Sequence, residues 1–110
     1  MHKIQLVAVR CRISMTSLSD SRGFEIFDAQ RQLLHSGVVP RYYLWNQDRS
    51  PVSDDQPGDG QIADGLVAAR HVGSEANDIA LVSIPDGSVI SVPKSLLTKR
   101  PVEETEGVPV

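Results

Sequence analysis

The chain has few of the residues on which disulfide-bonded, metal-binding or membrane proteins depend. Cys11 is the only cysteine among its 110 residues, which rules out an intrachain disulfide and a zinc site built from cysteines and fits a reducing compartment. No apolar run approaches the roughly 20 residues that a membrane helix needs. The run at 4–9 is too short for a signal peptide. These absences predict a cytoplasmic protein that does not bind membranes.

Motifs for catalysis and phosphate binding are missing as well. The sequence has no G-x-S-x-G motif, no G-x-x-x-x-G-K-S/T loop and no G-x-G-x-x-G loop, and these are the local signatures of many hydrolases and nucleotide-binding enzymes. The histidines, His2, His35 and His71, have no motif around them. Cys11 lies on the apolar side of a predicted strand, where a thiol is buried and inert. We predict no catalytic residue, no cofactor and no enzymatic activity, with a small enzyme of unrecognised type as the last alternative.

Four aspartates near the middle of the chain raise the question of a calcium site: Asp54, Asp55, Asp59 and Asp64. The EF-hand pattern aligned from Asp55 has Pro57 at its third position and Leu66 where the bidentate carboxylate belongs. The segment therefore reads as a solvated loop, and we predict no metal site.

The clearest structural pattern is a β-hairpin at 79–97, IALVSIPDGSVISVPKSLL. The step from Ile84 through Pro85, Asp86 and Gly87 is typical of a three-residue loop with a bulge, because proline sets the first corner and glycine takes the left-handed position. This places Val82 opposite Ile90 and Ala80 opposite Val92. Pro93 should end the ladder because it has no N–H, and one helical turn at 94–97 should place Leu96 or Leu97 on the end of the barrel.

Alternating apolar residues predict further strands. In 7–15 one side holds Val7, Val9, Cys11, Ile13 and Met15, which is the period of a half-buried strand. Leu6 has the opposite parity, which implies either a bulge or a strand covered on both faces. Strands at 24–28 and 32–39, with Gly37 at a bulge or bend, are favoured over a helix at 24–35 that would end at Gly37. Another strand is predicted at 62–72.

The hairpin followed by V-P-x-x-L-L, together with Asp64-Gly65-Leu66-Val67 upstream, resembles SH3-like barrels of the KOW and Tudor types over residues 62–98. The resemblance implies a small β-barrel with an aromatic ligand surface near a long loop, and it implies no particular activity. We predict an all-β domain at 1–98, either a small SH3-like barrel or a sandwich of five to seven short strands with a short helical turn near the C-terminus.

Two segments are predicted to be irregular. Residues 46–61 are rich in Pro, Gly, Asp and Ser and read as a long acidic surface loop, partly disordered, and residues 99–110 read as a disordered acidic tail. Residues 1–49 hold seven basic and four acidic side chains, a charge of +3, whereas residues 50–110 hold four basic and ten acidic, a charge of −6. This asymmetry could orient a partner.

The predicted partner-binding residues are Arg41, Tyr43 and Trp45. They belong to the run Arg41-Tyr42-Tyr43-Leu44-Trp45, which holds three of the five aromatic residues, and Tyr, Trp and Arg dominate protein interfaces. Tyr42 and Leu44 are assigned to the core. The predicted function is a non-enzymatic interaction module, a small adaptor or a regulator or inhibitor that docks on a larger protein assembly, with self-association through a β edge as a further expectation.

The alternative is a nucleic-acid-binding barrel that uses Arg10 and Arg12. On a strand these side chains point the same way, about 7 Å apart, a spacing that suits successive phosphates, and Lys3, Arg22 and Arg31 lie near them in sequence. The net charge of −3 makes this alternative the weaker one.

Overall fold

The computed structural model describes residues 5–101, which are built almost entirely from β-strands. These residues form eight strands and two single 3-10 turns: β1 (Gln5–Met15), β2 (Ser21–Phe27), β3 (Leu33–Pro40), the first turn (Arg41–Tyr43), β4 (Leu44–Asn46), β5 (Ile62–Ala76), β6 (Ile79–Ser83), β7 (Val89–Pro93), the second turn (Lys94–Leu96) and β8 (Leu97–Lys99). The predicted all-β class is confirmed, with more strands than the five to seven expected.

The two longest strands, β1 and β5, form an antiparallel ribbon at the centre of the sheet. The sheet order is β3-β2-β1-β5-β6-β7, with β4 added to β5 and β8 added to β1. Because β1 and β5 each change partner along their length, the sheet bends round into a small, nearly closed barrel. Within residues 5–101 no helix is long and apolar enough to cross a membrane.

The alternation predicted for β1 is confirmed, since Val9, Cys11 and Ile13 are all buried and belong to the main core inside the barrel. The ladder between β1 and β5 runs from Gln5 to Ser14 without a shift of register, so there is no bulge at Leu6. Leu6 is also exposed, so neither explanation offered for its parity holds. Covering of the outer face begins two residues later, at Ala8.

A small second cluster lies on the outer face of the β1–β5 ribbon. Its buried members are Ala8, Trp45, Leu66 and Ala68. Trp45 lies opposite Leu66 in the β4–β5 ladder, and Leu66 lies opposite Arg10 in the β1–β5 ladder. The sheet is therefore apolar on both faces near its middle, because the indole of β4 folds over it.

β2 and β3 form the hairpin that was favoured over a helix at 24–35. The bulge or bend predicted at Gly37 is absent. Gly37 lies in register opposite Phe24, and the irregularity falls between Ile26 and Phe27. A Cβ at position 37 would lie 3.1 Å from the Phe24 ring and would collide with the carboxylate of Asp86. Glycine is needed there because an aromatic ring and a carboxylate both approach the strand closely.

The C-terminal hairpin follows the prediction closely. Val82 pairs with Ile90 and Ala80 with Val92. The loop between them closes through the N–H of Ile84 on the carbonyl of Ser88 (2.8 Å), and Gly87 adopts a left-handed φ of 94°.

The ordered chain continues past the boundary predicted at residue 98. The ladder of β7 ends at Pro93 and the short turn follows, after which Leu96 and Leu97 both pack against the core. Arg100 donates hydrogen bonds to the carbonyls of Val7 (3.3 Å) and Ala69 (2.8 Å), and Pro101 is buried. Residues 102–110, the rest of the predicted tail, lie outside the described residues.

The terminal strands β3 and β7 approach each other, and a side-chain contact bridges the region between them. His35 on β3 lies 2.8 Å (Nε2 to Oδ2) from Asp86 in the turn between β6 and β7, and the His35 ring packs against Phe24 at 5.7 Å between centroids. Burial alone would raise the pKa of Asp86, but the hydrogen bonds from His35 and Ser88 outweigh it and hold this pKa below its usual value. The carboxylate is therefore stabilised in its charged form.

Candidate functional site

The aromatic run folds as a 3-10 turn followed by a strand. The turn begins after Pro40 and spans Arg41–Tyr43, and a 3-10 turn has a period of three rather than two. Tyr42 is consequently 72% exposed, whereas Leu44 is buried. Tyr43 is half-buried and packs on the core. The assignment of Tyr42 to the core was wrong, and that of Leu44 was correct.

Trp45 was predicted to bind a partner, but the structure buries it. Its side chain is only 4% exposed. The chain after β4 turns back on itself, with the N–H of Asn46 donating to the carbonyl of Ser50 (2.7 Å) and Pro51 forming an isolated bridge with Trp45. Because this turn and Leu66 enclose the indole, Trp45 supports the surface from beneath and cannot supply a large contact.

Arg41 is occupied by contacts within the chain. Its Nη1 donates to the carbonyl of Val52 (3.0 Å), and its Nη2 lies 2.9 Å from the carboxylate of Asp54 and 3.7 Å from that of Asp20. Its Nε is buried without a hydrogen-bond partner. Arg41 therefore fastens the following loop to the aromatic turn.

Arg22, which lies near Arg10 and Arg12 in sequence, holds the same loop from the other side. Arg22 is completely buried, and its five N–H groups all donate to backbone carbonyl oxygens: Gln56 (2.7 Å), Ser19 (2.8 Å), Ser21 (2.7 Å), Ser53 (3.3 Å) and Asp54 (2.8 Å). A guanidinium carries five donors in a fixed fork, so this set satisfies every one of them. No local sequence signal marks this role, because three of the acceptors lie more than 30 residues away along the chain.

The loop at 46–61, predicted to be a partly disordered surface segment, is thereby held against the barrel. Val52, the one aliphatic side chain in the predicted loop, is buried in the main core. Arg22 and Arg41 bind four carbonyls of the loop, those of Val52, Ser53, Asp54 and Gln56. We call this arrangement the arginine clamp (Arg22, Arg41 and these four carbonyls). It fastens the loop to the base of the aromatic turn.

The exposed side of the aromatic turn leads into a shallow cleft. The rings of Tyr42 and Tyr43 are in contact, 4.7 Å between centroids, and Tyr43 lines a cleft of about 170 Å³ together with Arg70, Pro85 and Arg100. We call Tyr42, Tyr43, Arg70 and Pro85 the tyrosine surface. It combines two aromatic rings, a proline ring and an exposed cation.

The predicted nucleic-acid-binding pair, Arg10 and Arg12, has a different character. Arg10 and Arg12 are both exposed on the outer face of β1, as predicted. Arg12 is flanked in register by Asp64 on β5 and Glu25 on β2, and its guanidinium lies 5.0 Å from the centre of the Phe27 ring. Two carboxylates beside one guanidinium reduce the positive potential that a phosphate backbone would meet.

The remaining chemically notable residues do not converge on one site. Cys11 is buried as predicted, and burial together with the nearby charge of Asp64 raises the pKa of its thiol far above the usual value, which keeps it protonated. Among residues 5–101 there is no cluster of three or more His, Cys, Asp or Glu side chains that could hold a metal ion. Lys3 and His2 lie outside the described residues.

Comparison of the chain with protein-family models, with curated proteins and with solved structures gave no match. Functional inference therefore depends on the geometry of the barrel surface.

Proposed function

We propose that the protein is a non-enzymatic interaction module, an adaptor or regulator that docks on a larger protein through the tyrosine surface. The observation that carries the proposal is Tyr42, a large aromatic side chain 72% exposed on a turn that the arginine clamp fastens to the following loop. Rigid, exposed tyrosines bind with little loss of conformational entropy and are enriched at interfaces.

The composition of the cleft favours an extended acidic segment as the partner. Tyr43 and Pro85 offer apolar ring surface, and the exposed Arg70 stands beside them. A carboxylate of the partner would pair with Arg70 while its backbone lies across the rings of Tyr42 and Tyr43. The proposal also includes that the barrel is of the SH3-like KOW or Tudor type and that the protein is cytoplasmic.

Display of a random peptide library on phage tests the proposal directly. Selected peptides should be enriched in Asp and Glu, and Tyr42→Ala should weaken their binding by about 30-fold, which corresponds to roughly 2 kcal/mol at an interface hot spot. Leu18→Ala is the matched control, because Leu18 is 62% exposed in a different loop. Peptides that bind Tyr42→Ala as tightly as the native protein, or a library that yields no binder, would contradict the proposal.

Nucleic-acid binding through Arg10 and Arg12 remains the second prediction, with less support, because Asp64 and Glu25 flank Arg12. Self-association through a β edge also remains a prediction, and light scattering would measure it.

A further inference from the structure

A second cavity, separate from the tyrosine surface, lies on the outer face of the β1–β5 ribbon. Its volume is about 440 Å³, within the range of small-molecule sites. Arg10 and Asp64 project from the two strands, Gln47 and Arg49 come from the loop after β4, and Leu66 lies beneath them. The walls are therefore polar and the floor is partly apolar.

One of the two cations of this cavity, Arg49, is held in place by hydrogen bonds to neutral groups. Arg49 donates from Nη1 to the hydroxyl of Thr98 (3.3 Å) and from Nη2 to the carbonyl of Lys99 (2.6 Å), so its side chain spans from the β4 side of the ribbon to β8. Within the part of the chain that the structure describes, no carboxylate lies within 4.0 Å of the guanidinium nitrogens of Arg49 or Arg10. With Asp64 as the one acid in the wall, the lining carries a net charge of +1, from two cations and one anion.

Arg49 has a backbone conformation that is unfavourable for an arginine. Its φ is 74°, the left-handed region that glycine or asparagine adopts most cheaply. Its N–H closes the turn on the carbonyl of Asn46 (2.8 Å). An arginine here accepts backbone strain, and its guanidinium lines the cavity.

A side-chain amide and a carboxylate stand just beyond the end of the β4–β5 ladder. Asn46 pairs with Gly65 at the end of the β4–β5 ladder, so the next residues outward, Gln47 and Asp64, leave the ladder facing each other. Both side chains line the cavity and are exposed. This places a hydrogen-bond donor beside a two-oxygen acceptor.

We propose that this cavity binds a guanosine phosphate. Guanine presents the acceptor O6 next to the donors N1–H and N2–H₂, which matches the amide of Gln47 beside the carboxylate of Asp64. Arg10 and Arg49 bind the phosphate, since guanidinium groups match phosphate geometry, and Leu66 packs under the base. Adenine would present its unprotonated N1 to the same carboxylate, so the site rejects it.

Titration calorimetry at low salt with GMP, AMP and inorganic phosphate tests this assignment. GMP should bind at least about tenfold more tightly than AMP or phosphate, the scale of one bidentate base contact. Arg10→Ala should weaken GMP binding about tenfold or more, and Asp64→Asn should abolish the preference for GMP over AMP. A single-stranded octamer containing guanosine distinguishes the sources: tighter binding than GMP identifies a nucleotide within a strand, and equal or weaker binding identifies the free nucleotide.

Lys94→Ala is the control for loss of one positive charge, because Lys94 is exposed and does not line this cavity; it should bind GMP like the native protein. Circular dichroism of each variant verifies folding, which the exposed positions of Arg10 and Asp64 should preserve. Equal binding of GMP and AMP, no GMP binding at millimolar concentration, or a loss in Lys94→Ala equal to that in Arg10→Ala would overturn the proposal.

Discussion

Replacing Arg22 with methionine should open the loop at 46–61 while leaving the barrel folded. Methionine keeps an apolar chain of similar length but removes all five N–H donors that Arg22 gives to backbone carbonyls. Leaving a buried carbonyl without its hydrogen-bond donor costs about 1–3 kcal/mol, and five carbonyls lose theirs here. Part of this is recovered if the freed carbonyls reach water, so we expect a loss of about 3 kcal/mol in the free energy of unfolding, a large share of the 5–15 kcal/mol of an ordinary domain.

Two measurements separate loop opening from general destabilisation. Urea unfolding gives the free energy of unfolding. Thermal unfolding should show a fall in melting temperature on the order of 10–20 °C. Hydrogen exchange monitored by mass spectrometry should show faster exchange of the amides of 46–61 in Arg22→Met while β1 and β5 stay protected. Arg12→Met is the matched control, since Arg12 is exposed, and it should change both quantities little.

Arg22→Lys refines the interpretation, because an ammonium group has three donors in place of five and should restore only part of the protection. The reasoning fails if Arg22→Met unfolds within 1 kcal/mol of the native protein and its loop exchanges at the native rate. In that case the carbonyl contacts would be incidental to the order of the loop.

Three further outcomes are expected. The folded-state pKa of Asp86 lies below its usual value, so the stability that this carboxylate contributes is present above the unfolded-state pKa near 3.9 and is lost as the pH falls through the folded-state pKa. Asp86→Asn should therefore be less stable than the native protein at pH 7 and should lose less stability on acidification. Acid unfolding curves parallel to those of the native protein would refute this. Cys11, buried and held protonated, should react with a thiol reagent only on unfolding, and rapid reaction of the native protein would show that β1 is not packed as described. Val52→Ala should cost about 2 kcal/mol in urea unfolding, from two lost methyl groups and a cavity, and a neutral result would show that Val52 does not anchor the loop.

The strands were predicted well because turn residues and the alternation of apolar side chains determine them over a few neighbouring residues. Proline and glycine in the turn between β6 and β7 fixed the register that pairs Val82 with Ile90, and alternation along β1 identified which side faces the core. Both depend on neighbouring residues alone.

The site was predicted less well because its geometry depends on contacts between distant segments. Tyr42 is exposed because a single 3-10 turn follows Pro40, a choice that residue types alone do not determine. Arg22 looked like any surface arginine in a polar loop, and its burial depends on acceptors such as Gln56, 34 residues along the chain. The prediction of a bulge or bend at Gly37 is wrong because the approach of Asp86 from another hairpin leaves no signal in the neighbouring sequence.

Backbone amide mapping by nuclear magnetic resonance, with a displayed acidic peptide added to the ¹⁵N-labelled protein, tests the central claim most directly. Docking on the tyrosine surface predicts that the largest shifts fall in the turn at 41–43, at Arg70 and at Ser83 and Ile84, which line the same cleft. Shifts centred on Arg10 and Asp64 instead, or spread evenly over the barrel, would contradict it.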